Sequence, residues 1–155
     1  MLLRLIAVGT RMPRWVDEGY EEYAGRLTSD YRLELKEIAL GQRSGGNVGQ
    51  AMAKEGERML AALPSRAHIV ALQVTGKSMT SEQLARFLEA RARDGRDVAF
   101  LIGGPDGIAA EVDAKAETRW SLSALTLPHG LARVMVAEAL YRAVSIVKGH
   151  PYHRA

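Results

Sequence analysis

Residues 97–107 read DVAFLIGGPDG, and this stretch decides which fold the sequence predicts. An apolar run stops at Gly103 and Gly104, and a proline, an acidic residue and a third glycine follow. A short apolar run that is bounded by turn residues is typical of a buried strand. Glycines directly after a strand allow the backbone to come close to another chain segment or to a ligand. The stretch therefore predicts a strand that ends in either a tight turn or a ligand-binding loop.

Strands and helices alternate along the rest of the chain. Apolar or alternating runs predict five strands, at 2–8, 31–40, 68–74, 97–102 and 119–127. Helical spacing of apolar residues and capping signals predict the helices, at 13–27, 52–63, 80–95, 109–117 and 130–147. This alternation predicts a single α/β domain over residues 1–155, with a mainly parallel sheet and helices on both faces.

Composition narrows the functional classes. The sequence holds no cysteine, which excludes disulfides, thiolate nucleophiles and cysteine-ligated zinc. Its formal net charge of +3 permits an acidic partner such as RNA without predicting one. No run approaches the roughly 18 apolar residues of a membrane span, and the apolar start lacks the features of a signal peptide. We therefore expect a cytoplasmic protein with no membrane partner.

Two glycine motifs fail as nucleotide-binding motifs. Gly76, Lys77 and Ser78 resemble the end of a phosphate-binding P-loop, but Ala71 stands where that motif needs its first glycine. The spacing of Gly103, Gly104 and Gly107 also differs from the dinucleotide-binding fingerprint. Taken alone, the loop after the fourth strand is as compatible with a structural turn as with a ligand site.

The position of that loop favours a ligand site. Ligands of open α/β sheets bind at the carboxyl ends of the strands, where Leu72, Gly103 and residues 125–127 are expected to meet. The stretch 101–108 carries no Lys or Arg, which favours a flat, largely neutral ring and its sugar over a polyphosphate. The neighbouring segment 121–130 is either a core strand ended by Pro128 or a backbone clamp around a ligand.

The C-terminal segment has several interpretations. His150 and His153 are an incomplete ligand set, so we expect no metal. Tyr152, His153 and Arg154 suit base stacking and phosphate contact, although a frayed terminus is the alternative. Glu138 and Arg142 lie four residues apart and share one helix face, either as a surface pair or as part of a site.

Far from this segment, the glycine-rich stretch 41–50, which carries Arg43, is expected to be a mobile loop.

Several motifs together resemble one protein family closely. They are LIGGPDG (101–107), WSLSALTLPH (120–129), VAEALYRA (136–143) and HPYHR (150–154). They resemble the ribosomal RNA large subunit methyltransferase H family, SPOUT-superfamily enzymes that methylate N3 of pseudouridine 1915 in 23S rRNA. The resemblance spans essentially the whole chain, since other stretches also look like the family: AVGTRMPRWV (7–16), KEGERML (54–60) and DGRDV (94–98).

The resemblance implies a fold detail, a cofactor and partners. It implies a C-terminal trefoil knot, S-adenosylmethionine as the methyl donor, and a homodimer that acts on 23S rRNA within the assembled ribosome. The cofactor would bind residues that match the family's pocket, namely Leu72, Gly103, Gly104, Leu122, Ser123, Ala124, Leu125, Thr126 and Leu127. We expect that the bound cofactor leaves no room for side chains at the two glycines, and that the last helix, apolar on more than one face, forms the dimer interface.

In the implied reaction, the nitrogen that receives the methyl group must first lose a proton. The nucleophile is an imide nitrogen, so a general base, or a cation that stabilises the resulting anion, is expected. The candidates are His129, Glu138, Arg142, Tyr152, His153 and Arg154. Among these, we expect RNA or anion contacts from Arg142 and Arg154, and proton transfer to His153 or Glu138.

Two other functional classes stay open at this stage. A ribosome-associated RNA-binding module without chemistry would bind RNA whether or not S-adenosylmethionine is present. A small nucleotide-binding enzyme is the other class, for which the incomplete motif at Gly76–Ser78 is the only support.

Overall fold

The computed structural model describes residues 1–28 and 30–153, the last of these by its backbone alone. Within this part of the chain, five strands form one sheet in the order β2-β1-β4-β3-β5, and every neighbouring pair is parallel. The strands are β1 (Leu2–Val8), β2 (Arg32–Ile38), β3 (His68–Lys77), β4 (Val98–Ile102) and β5 (Thr118–Trp120). The predicted parallel α/β sheet is confirmed, with β2 and β5 at its edges.

Helices cover both faces of the sheet, as predicted. They are α1 (Arg14–Ala24), α2 (Val48–Ala61), α3 (Ser81–Arg93), α4 (Ala110–Asp113) and α5 (His129–Val147), followed by a 3₁₀ turn at Pro151–His153. Helices α1, α3 and α5 pack on one face, where Leu3 and Leu5 of β1 are fully buried. Helices α2 and α4 cover the other face, where Ile6 of β1 is fully buried. Because successive strand residues point to opposite faces, β1 contributes to both cores.

Local sequence signals explain where several helices begin. The Thr80 hydroxyl accepts a hydrogen bond from Gln83 N (3.0 Å), and the Gln83 side chain accepts one from Thr80 N (2.8 Å). This is the predicted capping box, which satisfies two free backbone donors at the start of α3. Asn47 caps α2 in a similar way by accepting from Gln50 N (2.9 Å).

A buried arginine fixes α5 against the ends of two strands. Arg133 is fully buried, and its guanidinium donates to Glu37 Oε2 (2.6 Å) and to the Gly9 carbonyl oxygen (2.8 Å). A buried charge is tolerated only when it is paired and hydrogen-bonded, so this contact constrains the position of the helix strongly. The sequence analysis missed it, because Arg133 reads as one polar residue in an apolar helix.

The fifth strand is much shorter than predicted. The interpretation of 119–127 as a strand is wrong beyond Trp120, since residues 121–128 form an irregular loop. Ser121 Oγ donates to the Ser123 carbonyl oxygen (2.9 Å), and Ser123 Oγ accepts from Leu125 N (2.9 Å). Serine hydroxyls that bond nearby backbone groups compete with strand pairing, which explains the early end of β5.

The third strand is longer than predicted and runs to Lys77. Its pairing with β5 shifts between Leu72 and Lys77, and both residues pair with Trp120. Gly76 lies in this extension, where a Cβ would come within 2.7 Å of the Arg119 carbonyl carbon. The rejected P-loop motif is therefore part of a strand, and its glycine serves a close backbone approach.

The predicted mobile loop 41–50 also differs from the structure. Helix α2 begins at Val48, inside the predicted loop, and the Arg43 side chain is anchored by ion pairs to Glu55 and Asp106.

Across the described residues, the helices are all too short or too polar to cross a membrane.

Candidate functional site

A cavity of about 390 Å³ opens at the carboxyl end of β4, beside the middle of β3. Its walls come from residues 72–74 of β3, the glycine turn after β4, the loop that precedes α5, and the first turn of α5. The volume lies within the range of about 300–1,000 Å³ that small-molecule sites occupy. The position is the one at which open α/β sheets bind ligands.

The structure gathers most of the predicted cofactor residues around this cavity. The predicted residues that line it are Leu72, Gly103, Gly104, Leu122, Ser123, Leu125, Thr126 and Leu127. The described lining does not include Ala124, which is exposed in the same loop. His129, predicted at the rim, lies in the wall as the first residue of α5. Their roles in cofactor binding stay predictions.

Several lining residues escaped the sequence analysis: Gln73, Val74, Ile102, Pro105, Gly107, Ile108 and Ala132. Gln73 and Val74 belong to the part of β3 at which its pairing with β5 shifts. Ala132 could have been found, because it follows His129 by three residues and so shares its helix face. Among the described lining residues none is Asp, Glu, Lys or Arg. The cavity therefore suits a ligand whose buried part is neutral.

The glycine turn has a compact backbone geometry. Gly107 N donates to the Gly104 carbonyl oxygen (3.0 Å), and Gly107 has a φ of +91°, which favours glycine. A Cβ on Gly103 would come within 2.5 Å of the Gly107 carbonyl carbon, and one on Gly104 would lie 3.0 Å from Glu55 Oε1. Our expectation that the cofactor lies against these glycines stays a prediction, but the cofactor is not needed to explain why the two positions are glycine. The protein itself leaves no room at Gly103 and little at Gly104.

Three other predicted site residues, Glu138 and Arg142 of α5 and Tyr152 of the turn after it, form a cluster. Glu138 Oε2 accepts hydrogen bonds from Arg142 Nη2 (2.8 Å), Arg142 Nε (3.1 Å) and Tyr152 Oη (2.9 Å). The Arg142 guanidinium also lies over the Tyr152 ring, 5.0 Å from its centroid, and Tyr141 packs edge-on against that ring at 4.6 Å. We call Glu138, Arg142 and Tyr152 the tail cluster.

The tail cluster fixes the protonation state of two of its members. Burial, together with the hydrogen bond to Glu138, raises the pKa of Tyr152 to about 12. The hydrogen bonds to Glu138 also raise the pKa of Arg142. At neutral pH Tyr152 is therefore a neutral donor and Arg142 a cation, and Tyr152 in this geometry is unsuited to act as a base.

The C-terminal segment is ordered as far as the structure describes it. Pro151–His153 form a 3₁₀ turn, and Tyr152 packs on α5, so the frayed-terminus alternative is wrong for this segment. Arg154 lies outside the described residues, as does the side chain of His153.

The tail cluster lies further along α5 than the cavity does. His129 is at the first position of the helix, and Arg142 follows thirteen residues later. At the α-helical rise of 1.5 Å per residue, these two positions are about 20 Å apart. Within one chain, the structure brings His129 to the cavity and keeps Glu138, Arg142 and Tyr152 away from it.

Comparison with known proteins identifies the family. A family model described as predicted SPOUT methyltransferase matches residues 1–153. The chain belongs to the SPOUT methyltransferase family. Members of this family use S-adenosylmethionine as the methyl donor, and membership implies the C-terminal trefoil knot that the resemblance predicts.

Solved structures with low sequence identity share the SPOUT fold of this chain. A protein described as a methylase family member from Haemophilus influenzae Rd KW20 superposes with a TM-score of 0.56 at 11% identity, over 99% of this chain and 70% of that one. A second methylase family protein, from Neisseria gonorrhoeae, gives 0.51 at 14% identity, over 90% of this chain and 81% of that one. At such identities the likeness concerns the fold.

Over residues 1–28 and 30–153, no group of three or more His, Cys, Asp or Glu side chains is arranged to hold a metal ion.

Proposed function

We propose that this SPOUT methyltransferase transfers a methyl group from S-adenosylmethionine to N3 of pseudouridine 1915 in 23S rRNA of the assembled ribosome. The observation that carries the proposal is the cavity at the carboxyl end of β4, with its glycine turn and a described lining that contains no Asp, Glu, Lys or Arg. The motifs quoted above support the choice of substrate, because in combination they resemble the one family that performs this reaction.

The residues of the cavity fit the cofactor chemically. The adenine and ribose of S-adenosylmethionine are neutral, and the described lining offers apolar side chains and backbone groups with no Asp, Glu, Lys or Arg. Ser123 and Thr126 add hydroxyl groups of the kind that orient a ligand in a mostly apolar site. When bound, the cofactor supplies an activated methyl group, and the cavity's part is to hold it in line with the attacking nitrogen.

Methylation of the nucleobase also requires groups that remove a proton and stabilise an anion, and the described cavity lining contains no Asp, Glu, Lys or Arg for this purpose. N3 of pseudouridine carries a proton, so the nitrogen must lose it, and the resulting anion on the flanking carbonyl oxygens must be stabilised. Arg142 is a cation that could stabilise such an anion, and Glu138 or His153 could accept the proton. Tyr152 could stack on a base while its phenol keeps donating to Glu138.

We propose that a homodimer brings the two parts together. Within one chain, Arg142 lies about 20 Å along α5 from His129, and the described cavity lining contains no member of the tail cluster, so in this proposal the cluster that serves each cavity comes from a second subunit. Two α5 helices that pair antiparallel would place each tail cluster beside the cavity of the partner.

Exposed apolar side chains support the position of this interface. Trp15 is 56% exposed and Leu131 is 36% exposed, and they stand at the amino ends of α1 and α5. These helix ends touch, since a Cβ on Gly130 would come within 2.6 Å of Val16 Cγ2. Apolar patches of this kind mark interaction sites. In contrast, Val136, Leu140 and Val144 of the same helix are buried within the subunit.

The proposal is tested with ribosomes that lack the modification. Purified protein, radiolabelled S-adenosylmethionine and unmodified ribosomes should give one methyl group per ribosome, mapped to N3 of pseudouridine 1915 by mass spectrometry. Ribosomes that already carry the methyl group are the matched control and should accept none. RNA binding with no transfer would favour the non-catalytic module instead, and transfer to another nucleotide would overturn the substrate assignment. Because ribosomes are cytoplasmic, the proposal implies a cytoplasmic enzyme.

A further inference from the structure

Arg43 connects three separate segments of the chain. Its Nη1 donates to Glu55 Oε2 of α2 (2.7 Å) and to the Gly41 carbonyl oxygen (3.0 Å). Its Nε donates to Asp106 Oδ2 in the glycine turn (2.9 Å). One planar guanidinium thus holds the 41–47 loop, helix α2 and the turn after β4 together, a geometry for which arginine is suited and lysine is not.

Glu55 makes this connection necessary. It is only 2% exposed, and it accepts hydrogen bonds from Gly41 N (2.9 Å) and from both terminal nitrogens of Arg43. A buried carboxylate requires a hydrogen-bonded cation beside it. Glu55 also lies directly behind Gly104, since a Cβ on that glycine would come within 3.0 Å of Glu55 Oε1.

Asp106 provides the second attachment, at the tip of the turn. Its side chain is 39% exposed, and it stands between Pro105 and Gly107, which both line the cavity. The described lining contains none of the three members Arg43, Glu55 and Asp106, which we call the Arg43 cluster. The cluster therefore contacts the turn from behind, while the turn presents its backbone to the cavity.

We infer that Arg43 is a positioning residue that holds the glycine turn in the conformation that binds the adenosyl cofactor. This inference rests on the proposed function of the cavity. Without the bond to Asp106, the turn loses its side-chain attachment to Arg43 and keeps its backbone bridge between Gly104 and Gly107. The turn then samples other conformations, and the cofactor loses affinity by the fraction of time that the binding conformation is absent.

The most informative variant is Asp106→Asn, which removes a partly exposed charge and leaves Glu55 paired with Arg43. A matched control is Asp94→Asn, since Asp94 accepts a comparable hydrogen bond from Arg91 (Nη2 to Oδ2, 2.9 Å) at the end of α3. A third variant, Arg43→Lys, keeps the charge but cannot bond both carboxylates at once.

Two measurements test the inference together. Calorimetry should show that Asp106→Asn and Arg43→Lys bind S-adenosylmethionine about 10-fold more weakly than the unaltered protein, the effect of losing one hydrogen bond to a charged group. Amide hydrogen exchange of the ligand-free protein should be faster over residues 103–108 in both variants. Asp94→Asn should match the unaltered protein in both respects.

Unchanged affinity and unchanged exchange in Asp106→Asn would overturn the inference, and so would an equal loss in Asp94→Asn. The two proposals can fail separately. If the unaltered protein binds no S-adenosylmethionine, the cofactor assignment fails, and the exchange measurement still decides whether Arg43 holds the turn.

Discussion

Tyr152 donates a hydrogen bond of 2.9 Å to Glu138, and Arg142 donates to the same carboxylate oxygen. These contacts attach the C-terminal segment to α5 at Glu138 and Arg142, and Arg142 lies about 20 Å along the helix from His129 in the cavity wall. The Tyr152 phenol and the Arg142 guanidinium thus share one carboxylate oxygen of Glu138 as acceptor. In the proposed homodimer, this preformed cluster acts at the cavity of the partner subunit.

Deletion of residues 152–155 tests the role of this surface. Because the tail cluster lies away from the cavity of its own chain, S-adenosylmethionine affinity should stay nearly unchanged. Single-turnover methylation of unmodified ribosomes should slow by about 100-fold or more, the lower range for losing a positioned acid–base group. His150→Ala, an exposed substitution just before the turn, is the control. Near-normal turnover in the truncated protein would show that the reaction does not need residues 152–155 and depends on residues of the cavity wall instead.

Gly103→Ala tests whether the glycine turn tolerates a side chain. The new Cβ would meet the Gly107 carbonyl carbon at 2.5 Å, so the turn must move. We expect a loss of about 1–3 kcal/mol in the free energy of unfolding, as for other overpacked sites, together with weaker S-adenosylmethionine binding. Gly49→Ala is the control, since a Cβ there has its nearest neighbour at 4.0 Å. Urea unfolding and calorimetry that show both variants equal to the unaltered protein would refute this geometry.

Sedimentation tests the homodimer. The unaltered protein should sediment as a dimer at micromolar concentration. Leu131→Glu should shift it toward monomer without unfolding it, because Leu131 is 36% exposed in the single chain. Val48→Glu, at a side chain that is 40% exposed at the start of α2, should leave the dimer intact. A monomer at micromolar concentration before any substitution would contradict the two-subunit site.

His68 predicts a pH dependence of stability. Burial lowers its pKa below the ordinary value near 6.5. The unfolded chain therefore binds a proton at a higher pH than the folded chain does. The stability contributed by neutral His68 is fully present above about pH 6.5 and is lost as the pH falls through the lower, folded pKa.

The pH dependence is measured by unfolding in urea between pH 7.5 and about 5, above the range in which carboxylates titrate. The unaltered protein should lose more stability over this interval than His68→Gln does. His150→Gln, at an exposed histidine, should keep the full loss. Equal slopes for the unaltered protein and His68→Gln would show that another group causes the dependence.

Sequence reasoning succeeded where local pattern and tertiary environment agree. The β4 run ends at glycines and is buried on both faces, so its apolar pattern had one interpretation. The α3 capping box is formed by residues three apart, and local sequence is sufficient to specify it. The parallel sheet follows from the alternation of such elements.

The errors lie where apolar residues face a cavity or where contacts are non-local. The run 121–127 resembles a strand because its three leucines are apolar, but all three line a cavity and pair with no strand. Periodicity cannot distinguish a residue that faces a sheet from one that faces a ligand. The Arg43 cluster joins residues that are 63 positions apart, from Arg43 to Asp106, so the stretch 41–50 read as an isolated polar loop.

The most direct test of the central claim is a calorimetric titration of the unaltered protein with S-adenosylmethionine, beside a titration with ATP. Both ligands carry adenosine, but only ATP adds a polyphosphate, which the lining of the described cavity has no Lys or Arg to neutralise. Saturable binding of S-adenosylmethionine, one molecule per cavity, with no measurable binding of ATP is the result that this account predicts. Binding of ATP in preference to S-adenosylmethionine, or of neither, would contradict it.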